Sequence, residues 1–160
     1  MIQLSESEEK PLLLWEVIKI LEKRRGKSSH WDKTDHRKVY EYANRFIKLE
    51  FDDALELLNL LTGKFKLPRI VAVQFVDILP ITIEELEPFF EEIQRVSESI
   101  KTRNKEELPQ YLREVLEFSD KLEEMDKDAR EEFIRNLIEV FREYWKKARK
   151  IVTIEEEKKE

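Results

Sequence analysis

Cysteine is missing altogether from this chain of 160 residues. That excludes a disulfide framework and every thiolate metal or redox centre. Glycine is nearly as scarce, with Gly26 and Gly63 alone. A sheet-rich fold of this length normally needs more turn glycines, so the scarcity favours helices. It also leaves little material for a phosphate-cradling loop. No run of about 18 apolar residues occurs, so no membrane span is expected. The opening MIQLSESEEK is acidic and has no apolar core, so it does not read as a signal peptide, and a cytoplasmic location is expected. No Gly-x-Ser-x-Gly and no Cys–His pair can be written from the sequence. An enzymatic role is therefore not expected, and no cofactor is implied.

Charge and apolar content are what the chain does have. Hydrophobic residues make up 41%, enough for a core. Charged residues make up another 41%, against about 25% in an average protein. The length suits one domain, or one domain with an appendage. Abundant Lys and Glu fit a thermophile composition, or simply a solvated helical surface. A net charge of −6 argues against a protein whose main work is gripping a nucleic-acid backbone, although a local basic patch is compatible with it.

The apolar pattern predicts an all-α fold. Apolar residues at 14, 17, 18 and 21 keep helical spacing, and Leu12, Leu13 and Trp15 widen the stripe. That excess is read as core or as surface for another protein. Lys23, Arg24 and Arg25 suit the helix C-terminus, and Gly26 is expected to stop it. Thr34 is a plausible N-cap for a second helix bearing Val39, Tyr42, Ala43, Phe46 and Ile47. A third helix runs from about Asp52 to Leu61, with Gly63 expected at a left-handed C-terminal position. Pro68 is expected to open a fourth helix. Its β-branched run Ile70–Val76 would also suit a buried strand, but Ala72, Val76 and Leu79 keep helical spacing and Pro80 ends it. Thr82 and Glu85 form a capping box. The helix they start is expected to reach about Ile100, with a kink or break at Pro88. Pro109 and Asp126 or Asp128 mark two further helices.

Candidate chemical sites are few. His30 and His36, with Asp32 and Asp35 nearby, match no common metal spacing and read as surface histidines. Lys23–Arg25 with Lys27, and Lys146–Lys150, sit where cations favour the helix dipole. The weak nucleic-acid candidates are Lys27, Trp31, Lys33 and Arg37, where a tryptophan among cations could stack on a base.

The run Ala72-Val73-Gln74-Phe75-Val76-Asp77-Ile78-Leu79-Pro80 resembles a stretch of one stalk protein of archaeal DNA-directed RNA polymerase, the counterpart of the fourth subunit in the eukaryotic enzyme. The likeness extends to Ile20–Arg24, Tyr42–Leu49, Asp52-Asp53-Ala54, Glu84-Glu85-Leu86 with Phe89-Phe90, and Asn136–Tyr144. It covers about two-thirds of the chain. It departs from the family in a longer loop carrying Trp31 and in a helical hairpin added near residues 92–128.

The resemblance implies a helical bundle with an HRDC-like core plus a C-terminal helical hairpin. Residues 1–33 would be the N-terminal partner-binding segment and first helix. Residues 34–151 would be the HRDC-like domain, and 152–160 a disordered tail. It implies a non-catalytic component of the polymerase stalk. Its heterodimer partner would be the other stalk protein, which carries an OB domain and joins the pair to the core polymerase near the RNA exit path. Nascent RNA would be touched weakly. Carried over by position, contacts with the OB-domain partner fall on Leu12, Leu13, Trp15, Ile18 and Leu21. Asp77, Leu79 and Pro80 would shape the fold. The alternative is a stand-alone HRDC-like nucleic-acid-binding or adaptor protein.

Overall fold

The computed structural model describes residues 10–26 and 35–148. Thr34, the Trp31 loop and the tail at 152–160 lie outside them. Seven α-helices occur among the described residues: α1 (Leu14–Arg25), α2 (Asp35–Phe46), α3 (Phe51–Gly63), α4 (Arg69–Ile78), α5 (Ile83–Ile100), α6 (Gln110–Glu124) and α7 (Lys127–Trp145). A short 3-10 turn at Lys105–Glu107 joins α5 to α6. No strand is present among these residues, and the chain is an all-α bundle.

The β-branched run at 70–76 is helical. Its buried residues Val71, Ala72, Val73, Phe75 and Val76 cover about 200° of the helix, while Gln74 and Ile78 are exposed. A helix buried over more than half of its circumference lies well inside a core. Phe75 shows this most clearly. Its ring meets Phe89 and Phe90 of α5 edge-on, with centroids 4.9 and 6.4 Å away, and Phe141 of α7 at 5.5 Å. Helices α3 and α6 also contact α4. Pro68 stands one place before the helix, at the N-cap. At the other end Leu79 is left-handed, φ 54°, and buried. Pro80 disfavours a right-handed helical residue before it, so the chain leaves α4 through this plug.

Gly63 is the last residue of α3 and not left-handed. The turn is made later, by Lys66 at φ 57°, and the Leu67 amide donates back to the Leu61 carbonyl at 3.0 Å. Gly26 does follow the end of α1, but in a right-handed conformation.

Pro88 does not break α5. Its nitrogen cannot bond the Glu84 carbonyl, but both residues are exposed, so that carbonyl is open to solvent. Thr82 caps α5 through its hydroxyl, which accepts from the Glu85 amide at 3.2 Å. The Glu85 carboxylate returns to the amide of Ile81, 3.3 Å, and not to that of Thr82. Asp126 caps α7 by accepting from the Ala129 amide at 2.7 Å.

The segment 92–128 is part of the same core and does not hang outside it. Ile93, Val115, Phe118 and Leu122 join the main buried cluster, and Ile100, Leu108 and Leu116 close the far end of the α5–α6 pair. The first two helices form a smaller unit around Ile18, Ala43 and Ile47. Because Phe75 joins three helices, Phe75→Ala should cost about 3–5 kcal/mol of unfolding free energy. Denaturant titration checks this, and a loss under about 1 kcal/mol would contradict the central placement.

Candidate partner interface

The start of α1 is tied down by its own chain. The Asp77 carboxylate accepts from the Leu14 amide at 3.2 Å. The Glu16 carboxylate accepts from the Leu13 amide at 2.9 Å and from the Arg69 guanidinium at 3.1 Å. Arg69 also donates to the Pro11 carbonyl at 3.2 Å. The Trp15 indole donates to the Leu49 carbonyl at 2.6 Å, and its ring lies edge-on to Phe51. Arg69 and Asp77 are eight residues apart on α4, and so share a face.

Burial sorts the five expected partner contacts. Leu13, Ile18 and Leu21 are interior, with Leu13 wholly covered. Trp15 is half-buried and Leu12 exposed. The width of the apolar stripe at 12–21 therefore belongs largely to the chain's own core. Its sequence could not distinguish the two, because the covering residues Leu49 and Asp77 lie far along the chain. Lys27, Trp31 and Lys33 fall outside the described residues. Arg37 lies on α2 and pairs with Glu41 at 3.0 Å.

Exposed apolar surface is found instead on α2. Val39, Tyr42 and Phe46 are 47%, 63% and 43% exposed. At about 100° per residue they share one edge of the helix. Ala43 on the neighbouring edge and Ile47, just past the end of the helix, are buried against Ile18. The Tyr42 and Phe46 rings touch, centroids 4.6 Å apart. Ile20 on α1 is exposed as well. The apolar positions Val39, Tyr42, Ala43 and Phe46 span about 100° of α2, the width of one contact face, so periodicity alone gave no sign that only part of it is covered.

Two more exposed apolar residues, Ile78 and Trp145, flank Lys48. The Lys48 ammonium donates to the Ile78 carbonyl, closing the end of α4, and lies 5.5 Å from the Trp145 ring centroid. Burial lowers its pKa, and Glu85 partly offsets this. A groove of about 720 Å³ runs between the first turns of α5 and the middle of α7. Ile83, Ile134 and Ile138 line it, with four glutamates and two arginines around them. No group of three or more His, Asp or Glu arranged to hold a metal occurs among the described residues.

Asp77 carries a pH dependence. Burial raises its carboxyl to about 6; the Leu14 amide opposes the shift and Glu16 adds to it. The folded state thus holds the proton more tightly than the unfolded chain does. The stability this contributes is present below the ordinary carboxyl range and is lost as pH rises through about 6. Asp77→Asn keeps an acceptor for the Leu14 amide but cannot ionise. Between about pH 4 and pH 7 the wild type should lose stability relative to Asp77→Asn. Unfolding midpoints across that range test this, and parallel profiles would contradict it.

No family model, curated protein or solved structure matches this chain.

Proposed function

We propose that this chain is a non-catalytic helical component of a larger assembly and works by docking on a protein partner. The carrying observation is the aromatic stripe Val39–Tyr42–Phe46, left uncovered among the described residues beside an edge that packs on Ile18. Contiguous apolar patches of this kind mark interaction sites, and tyrosine is a frequent binding hot spot. The resemblance of the Ala72–Pro80 run to the fourth-subunit counterpart of archaeal RNA polymerase makes the OB-domain stalk protein the candidate partner. In this reading the chain is one half of an archaeal polymerase stalk, HRDC-like in fold, cytoplasmic, and close to the RNA exit path. Its net charge of −6 supports leaving most RNA contact to the partner. Contacts expected on Leu13, Ile18 and Leu21 move to Leu12, Ile20 and the α2 stripe, since the first three are already covered.

Co-expression of the tagged chain with the OB-domain stalk protein of the same organism, followed by light scattering, tests the proposal. A 1:1 complex that survives high salt is expected. Tyr42→Ala with Phe46→Ala should weaken it at least about tenfold, while helicity stays unchanged. A chain that elutes alone would overturn the polymerase-stalk reading and leave the stand-alone helical adaptor or nucleic-acid-binding module. Unaltered binding by the double variant would overturn the assignment of the surface.

A further inference from the structure

We propose that, in the absence of another partner, the α2 stripe of one copy seats in the α5–α7 groove of a second copy. The two surfaces complement each other in shape and charge. The stripe presents Val39, Tyr42 and Phe46, and the groove offers an apolar floor of Ile83, Ile134 and Ile138. Its volume of about 720 Å³ lies in the range of pockets that enclose a drug-sized ligand, which is room for two aromatic rings.

Charge points the same way. Lys38 and Arg45 run along one edge of the stripe, and Glu41 between them is paired with Arg37 at 3.0 Å. Four glutamates line the groove against two arginines, and Arg142, one of the two, is tied to the Ile81 carbonyl at 3.3 Å. Helix α5 as a whole carries six glutamates and a single arginine. The two like-charged alternatives, stripe against stripe and groove against groove, bring cation to cation and carboxylate to carboxylate. The unlike pairing joins the largest number of opposite charges.

The contact is heterologous. Each copy in a pair keeps one free stripe or one free groove, so association continues past the dimer unless a ring closes. Exposed charges govern it, so salt should weaken it. This inference does not require the polymerase partner. A protein that covers the stripe would compete with the second copy.

The test uses the full chain alone, with two variants. Tyr42→Ser with Arg45→Glu disables the stripe, and Ile83→Ser with Glu87→Arg disables the groove. Circular dichroism checks that both remain helical. In low salt, the wild-type mass by light scattering should rise with concentration and fall when salt is added. Each variant alone should hold the monomer mass. Mixed in equal amounts, they should give twice that mass and nothing heavier, because one intact stripe and one intact groove remain. A wild type that stays monomeric would overturn the proposal. So would a variant that associates as the wild type does, or a mixture that stays monomeric. Because the OB-domain stalk protein is absent from this experiment, its result is independent of whether that protein binds.

Discussion

Helix α4 is buried over more than half of its circumference, and α3, α5, α6 and α7 are arranged to cover it. A helix buried over such an arc needs neighbours on several sides. Phe75 is fully buried and stacks edge-on against rings from α5 and α7. Helices α3 and α6 take further sides. Leu79 and Pro80 then turn the chain so that α5 returns beside the helix it follows. The left-handed Leu79 is unfavourable in isolation. Burial of its side chain and the constraint from Pro80 hold it there.

Polar groups on α4 set where the first helix goes. Arg69 and Asp77 sit near its two ends on one face, and between them they hold the backbone of residues 11–14 and the Glu16 carboxylate. Neither residue is exposed like an ordinary surface charge, and burial raises the Asp77 pKa as a result. The structure thus accepts a partly desolvated carboxyl in order to fix α1. Helix α2 packs on α1 through the small cluster of Ile18, Ala43 and Ile47. The pair is a satellite of the main core, and the Val39–Tyr42–Phe46 edge of α2 is left open among the described residues.

Much of the fold was legible because its signals are local. Thr82 and Asp126 announced their helices through side chains that reach three residues ahead. Helical spacing outweighed β propensity in α4, since packing on several sides decides such runs. Gly26 does end α1, but Gly63 misled. Gly63 suggested a left-handed turn, yet α3 ran on through it and Lys66 took that conformation. Pro88 suggested a break, yet its position near the start of an exposed helix face made the lost bond harmless. The interface was the least legible part. Leu12–Leu21 and Val39–Ile47 both carry apolar stripes in sequence. Which one is covered depends on contacts such as Leu14 with Asp77, 63 residues apart, and Trp15 with Leu49, 34 apart. Periodicity within a window cannot report these.

Native-state hydrogen exchange of the isolated chain tests the central claim most directly, namely that a core organised on α4 carries α1–α2 as a separately packed unit with a free outer edge. Amides of α4 should exchange only through global unfolding, while those of α2 should open at a clearly lower free energy. Equal protection of α2 and α4 would contradict the account.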